Sequence, residues 1–164
     1  YDNPGLAPGV VDGDQIEFDV SIGYQWFLEA VRFSLYGGLN VQDHNHSPFD
    51  PGNSTEGSEA GFKAQAELES LPDTPFYYSV MGSYSTANDT YWARGRLGAK
   101  YQQFTVGPEV LVSGNNEYDG ARAGVFGMYQ QDNWSISASV GYADVNGTQG
   151  DDSLYGSFSI GIAY

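Results

Sequence analysis

Three groups of residues in the 164-residue chain have the types and spacing to do chemistry. Asp43-His44-Asn45-His46 puts two imidazoles two positions apart, with Asp50 and Glu56 close behind. On a loop such a set can share a metal ion. These are the only two histidines in the chain, and the plainer reading is a polar surface loop. Asp144, Asn146, Asp151 and Asp152 could gather oxygens around calcium. Their flanks read as strands, not as the helices of a helix–loop–helix site, so a solvated acidic loop that weakly collects divalent cations is the plainer reading. No resident cofactor is expected. The third group is a mixed-sign array. Arg94, Arg96 and Lys100 recur at even spacing on one segment, and Glu17, Asp19, Arg32, Glu59, Lys63, Glu67, Glu109 and Arg122 stand on others. It could line a narrow polar channel or a sugar track, or it could be a plug of ion pairs. No catalytic constellation accompanies these groups. The histidines are confined to one loop, and Gly82-Ser83-Tyr84-Ser85 is not a nucleophile elbow. The chain is expected not to be an enzyme.

Composition narrows the field. Lys and Arg number 6 against 21 Asp and Glu, a net charge of −15, which excludes a phosphate backbone as partner. There are no cysteines, so disulfides, thiolate metal sites and thiol catalysis are out. The length suits one domain, residues 1–164. No apolar run is long enough for a spanning helix. The mean hydropathy of −0.40 does not exclude membrane strands, because alternation averages the signal away. No signal peptide is visible and the chain begins at Tyr1 without Met, which reads as a processed chain or a fragment.

The array must be positioned by strands, because the chain alternates with period two almost throughout. In Gln15–Trp26, Ile16, Phe18, Val20, Ile22, Tyr24 and Trp26 alternate with Gln15, Glu17, Asp19, Ser21, Gly23 and Gln25. Six such repeats describe a strand with one apolar and one polar face. The pattern recurs in eight further segments, from Val31–Val41 to Leu154–Tyr164. About ten residues each is the length of a tilted membrane strand. Short connectors near 27–30, 102–103 and 130–133 alternate with long ones at 43–57, 114–119 and 144–152; 70–75 and 86–90 are intermediate. Tight turns on one side and long loops on the other are the outer-membrane barrel pattern.

Charge decides which face is which. All six basic residues fall on the polar parity, as do Glu17, Asp19, Glu59, Glu67, Glu69 and Glu109, so that face sums to zero. A soluble domain would scatter lysines over its outer face. Balanced charges among many Ser and Gly suit a crowded lumen instead. The apolar parity is then the lipid face. Its aromatics Tyr24, Trp26, Phe76, Tyr78, Tyr101, Phe104, Tyr129, Trp134 and Tyr164 gather at one strand end, and Tyr84, Tyr91 and Tyr142 at the other, as interfacial girdles do. The expected fold is therefore an all-β, antiparallel transmembrane β-barrel of the bacterial outer-membrane type, in contact with lipid bilayer and lipopolysaccharide. Nine strands are odd, and three more would give twelve. Of the remaining carboxylates, Glu29, Asp73 and Asp132 fall in short turns and the other twelve on the long-loop side, making an acidic rim. Pro108, on the outward parity, hints at a bulge.

Several segments resemble one family: Ser58–Glu69, Gly82–Gly98 with its run Tyr91-Trp92-Ala93-Arg94-Gly95-Arg96, and Val106-Gly-Pro-Glu-Val110 followed by Gly114–Arg122. These are similar to the cellulose biosynthesis protein BcsS family of alphaproteobacteria, from about Gly13 to the C-terminus. The resemblance implies an outer-membrane barrel encoded near cellulose synthase genes, with further strands upstream. Glu59, Lys63, Tyr91, Trp92, Arg94, Arg96, Pro108, Glu109 and Arg122 match residues that recur in the family. The expected function is an accessory to exopolysaccharide, specifically cellulose, biosynthesis or secretion, acting as an anchor or docking platform. A narrow cation-preferring pore for small solutes or oligosaccharides and a soluble β-barrel binding protein stand as alternatives.

Overall fold

The computed structural model describes residues 12–47, 57–116, 119–146 and 153–162. Nine strands follow one another in them: β1 (Asp12–Phe27), β2 (Val31–Ser47), β3 (Gly57–Ser70), β4 (Phe76–Ser85), β5 (Tyr91–Tyr101), β6 (Phe104–Gly114), β7 (Asp119–Gln131), β8 (Trp134–Asn146) and β9 (Ser153–Ile162). One 3-10 turn, Ala87–Asp89, stands between β4 and β5. Every strand pairs antiparallel with its successor, in the order β1 to β9. No ladder joins β1 to β9 among the described residues. The connectors alternate as the sequence suggests. Residues 28–30, 71–75, 102–103 and 132–133 lie at one end, and the remaining connections, of four residues or more, at the other. The two intermediate segments, 71–75 and 86–90, are five residues each and fall at opposite ends.

The sheet curls strongly, into a half-barrel. Its side chains span strands that are not neighbours: Tyr155 on β9 reaches Glu109 on β6, and Arg96 on β5 reaches Ser139 on β8. Gln25 and Phe27 of β1 and Gly161 and Ile162 of β9 line one cleft of about 670 Å³ at the short-turn end. The concave face is the polar parity and the convex face the apolar one. Burial is therefore inverted. Ile22 is 85% exposed and Tyr101 75%, whereas Asn40 and Gln42 are 0% exposed and Glu109 2%. Folded soluble domains sort these residue types the other way.

Glycine lets the concave face close. Gly98 on β5 and Gly107 on β6 are inward-facing and side by side, and a Cβ on Gly107 would sit 1.9 Å from the Leu97 carbonyl oxygen. Tyr77 on β4 and Phe126 on β7 flank this pair and meet over it, ring centroids 5.7 Å apart. Phe126 covers Gly98 directly. With Met128 they form the buried apolar cluster of the concave face. Large and small residues in facing positions fill space without strain.

Two expectations change. Asp43, His44 and His46 lie inside β2, not in a loop, because β2 continues to Ser47 and pairs with both β1 and β3. Asp12, Asp14, Asp119 and Asp144 likewise lie in strand ends. Pro108 makes no bulge. The β5–β6 register passes from Arg96↔Glu109 to Ala99↔Val106, with two residues between on each strand. An inserted residue would shift that register. The interruption instead reflects the donor that proline lacks.

Candidate functional site: the concave face

Antiparallel register arranges the inward residues in rows across the sheet, and each row has its own chemistry. Nearest the short turns, Arg32 on β2 donates to Glu69 on β3. The Tyr77 hydroxyl donates to the other Glu69 oxygen at 2.9 Å. Lys100 takes no acid. Its Nζ donates to the carbonyl oxygens of Leu71, Pro72 and Thr74 at 2.9, 3.1 and 3.2 Å, fastening the β3–β4 turn.

The middle rows form a waist. Arg96 stands opposite Glu109 and donates to it through Nε. Its other nitrogens reach Ser137 and Ser139 at 3.5 and 3.0 Å. Its guanidinium carbon lies 4.8 Å from the Phe126 ring centroid. Tyr155 lies flat over Gly124 and Gly141, each of which would collide with its ring or hydroxyl if it carried a Cβ, and donates to Glu109 at 3.2 Å. Glu109 is thus a buried carboxylate with a guanidinium and a phenol to compensate it, as a buried charge requires. Arg94 is less well served. It donates to the Met81 sulfur at 3.0 Å, its Nε stands 4.0 Å from Glu109, and that buried Nε has no hydrogen-bond partner.

Towards the long loops, Lys63 on β3 reaches over Gly38 of β2 to β1, donating to Glu17 and Asp19, both at 2.9 Å. Glu17 also accepts from Asn40 at 2.8 Å. Asn40 then begins a network that the charge pattern gave no hint of. Its side-chain oxygen accepts from Gln42 at 2.8 Å and from Ser85 at 2.9 Å. Gln42 accepts from Asn88 and Thr90, both at 3.1 Å. These bonds draw the 86–90 segment onto the concave face. It rests against Gly61, where a Cβ would meet the Ala87 nitrogen at 2.3 Å. Asn88 and Asp89 hold φ of 53° and 48°, a conformation such residues tolerate best after glycine. The clue in the sequence was amide side chains on the inward parity, which cannot be left buried without partners.

The other expected residues are scattered. Glu67 accepts from Gln65 at 2.6 Å. Glu59 is exposed, opposite Gln42. Arg122 lies 6.0 Å from the Tyr155 ring centroid. Arg94, Arg96 and Lys100, although aligned on one strand face, are used differently: both arginines approach Glu109, whereas Lys100 fastens a turn.

On the convex face, Trp26 lies between Tyr24 and Phe33 at 4.8 and 5.6 Å, and Tyr129 between Phe104 and Trp134 at 5.0 and 5.4 Å. Phe76 and Tyr101 are exposed and Tyr78 half-buried near the same short-turn end; Tyr164 lies outside the described residues. At the long-loop end, Tyr84 donates to Asp89 and Tyr91 to Asp119, both at 2.5 Å. Of the metal candidates, Asp50, Glu56, Asp151 and Asp152 lie outside the described residues. No group of His, Cys, Asp and Glu that could hold a metal occurs among the described residues.

Apolar side chains outward and compensated charges inward describe a curled antiparallel β-sheet protein with its burial inverted. A family model for the cellulose biosynthesis protein BcsS matches residues 1–164, the entire chain, and the chain belongs to that family. The family is outer-membrane-associated and accessory to cellulose or exopolysaccharide biosynthesis, and is not catalytic. No curated protein and no solved structure matches the chain.

Proposed function

We propose that the sheet is the wall of a closed transmembrane barrel in the outer membrane, serving as an anchor or docking platform for exopolysaccharide secretion. The observation that carries this reading is the inverted burial: a contiguous convex band of exposed Ile, Val, Leu and Phe over a polar concave face. An apolar patch of that extent does not face water on a monomeric soluble domain. In hydrocarbon it needs no cover, whereas unpaired strand edges do. β1 and β9 run in the same direction, because nine antiparallel strands separate them by an even number of steps. Pairing them directly would be parallel. An odd number of further strands keeps every neighbour antiparallel, and three make the barrel of twelve.

The waist favours an anchor over a pore. Tyr77, Phe126, Arg96 and Glu109 occupy the middle of the concave face, and nothing there resembles an open ring of like charges. The test is reconstitution of the intact chain into phosphatidylcholine vesicles. It is expected to float with the vesicles, resist extraction at high pH, and give no conductance steps in a planar bilayer. A chain that stays dispersed without detergent overturns the membrane reading, and steady ohmic steps overturn the plugged one. Deleting the gene is expected to lower the cellulose or related polymer delivered to the cell surface; unchanged delivery removes the docking role.

A further inference from the structure

A second cleft opens on the concave face at the long-loop end, of about 330 Å³. We infer that this cleft is a binding site for a neutral, hydroxyl-rich sugar chain, seated against Trp92. The inference rests on the docking reading and gives that platform its ligand.

Three observations carry it. The first is the row in which Trp92 stands. Register places Gln65, Ser83, Trp92, Ser113 and Gly120 side by side across β3 to β7. Trp92 has a serine on each side and only small or polar neighbours beyond. In the waist, by contrast, Phe126 and Tyr77 meet and fill the space over their glycines. Trp92 is half-buried and lines the cleft wall. A large apolar ring with a polar edge, left standing among hydroxyls and an amide, matches the face of a pyranose and its equatorial hydroxyls.

The second is the charge of the walls. Lys63 is held between Glu17 and Asp19, and Arg122 lies towards the Tyr155 ring. Glu17 offsets Lys63, Arg122 is the one cation in excess, and Gln65, Ser83, Thr90 and Ser113 make much of the remaining wall neutral, so the cleft presents mainly uncharged hydrogen-bonding groups of both kinds. That suits hydroxyls, which donate and accept, better than an ion.

The third is the floor. Arg94 lies under the indole, its guanidinium carbon 5.4 Å from the Trp92 ring centroid. Behind it stands the Arg96–Glu109 pair. The waist thus stands between this cleft and the short-turn end, and a chain end seated against Trp92 would meet it before passing through. That is the behaviour a docking platform needs.

Trp92 also supplies the probe. The other two tryptophans, Trp26 and Trp134, stand on the convex parity, so Trp26→Phe with Trp134→Phe leaves a single emitter in the cleft. The experiment is fluorescence and calorimetric titration of the vesicle-inserted chain with cellohexaose, and in parallel with oligogalacturonate. Saturable change in Trp92 emission with cellohexaose, weakened about tenfold by Trp92→Ala and less by Trp92→Phe, is the expected result. Ser83→Leu, which fills the cleft while leaving the indole in place, is expected to weaken binding at least as much. Binding of oligogalacturonate alone overturns the neutral-chain assignment. A chain that inserts normally yet shows no calorimetric heat with either sugar overturns the site and leaves the anchor reading standing. A chain that binds cellohexaose but does not insert keeps the cleft and overturns the barrel.

Discussion

Arg94 and Arg96 show how differently two arginines on one strand face can be used. Arg96 compensates a carboxylate that is 2% exposed and satisfies two serines besides. Arg94 stands beside the same acid with its buried Nε unpaired. Removing Arg96 leaves Glu109 buried with only the Tyr155 hydroxyl and the more distant Arg94 to compensate it. Arg96→Met is expected to cost about 3–5 kcal/mol of stability, and Arg96→Met with Glu109→Leu to recover most of it. Arg94→Met removes an incompletely satisfied donor and is expected to cost less than the Arg96 variant. Guanidinium unfolding in vesicles measures all three; equal losses for the two single variants would mean that Glu109 draws on both arginines alike.

Among the elements, the strands were legible and their cross-talk was not. Period two marks each strand, because side chains alternate across a pleated backbone. Charge placement also told the concave face from the convex one, since all the cations share one parity. The pairing of those cations was hidden. Lys63 crosses β2 at its register partner Gly38 to reach β1, and Tyr155 lies over Gly124 and Gly141 to meet Glu109. Such partners are two or three strands apart in the meander, and the curl brings them together. The apolar cluster of Tyr77, Phe126 and Met128 was missed for a related reason. Its members sit on the polar parity, and their meaning comes from the glycines between them. The histidine cluster was misplaced because polar residues at a strand's far end look like a loop.

The glycine rows also give a test at this scale. Gly107→Ala is expected to drive β5 and β6 apart, because the added methyl meets backbone and not a movable side chain. A loss of about 1–3 kcal/mol or more follows. Gly127→Ala, where a Cβ meets nothing within 4 Å, is expected to be neutral. Heat-modifiable electrophoretic mobility after refolding into vesicles reports on both; equal yields would show that the sheet can flatten at Gly107 without penalty.

For the molecule as a whole, the membrane reading turns on depth. A charge on the convex face should cost most at mid-strand and least at the rims. Val110→Arg, near the middle of β6, is expected to cost about 2–4 kcal/mol in a bilayer, and Phe104→Arg, at the strand's start, about 0–1 kcal/mol. Equal penalties at the two positions, measured by unfolding from vesicles, would remove the hydrocarbon slab from the picture.

The unbroken order from β1 to β9 bears on time as well as shape. Each strand finds its partner in the next stretch of chain, so little loop entropy must be spent before contacts form. Tight two-residue turns at 102–103 and 132–133 can close hairpins early, on the microsecond scale typical of such units. The long-loop joins can follow, zipping hairpin to hairpin. The two outermost edges are last, and only they must wait for something not adjacent in the chain. In the closed barrel proposed above, β1 and β9 each offer an open edge to any passing strand until further strands join them. The vulnerable moment of that assembly is therefore the interval between a finished sheet and a sealed wall.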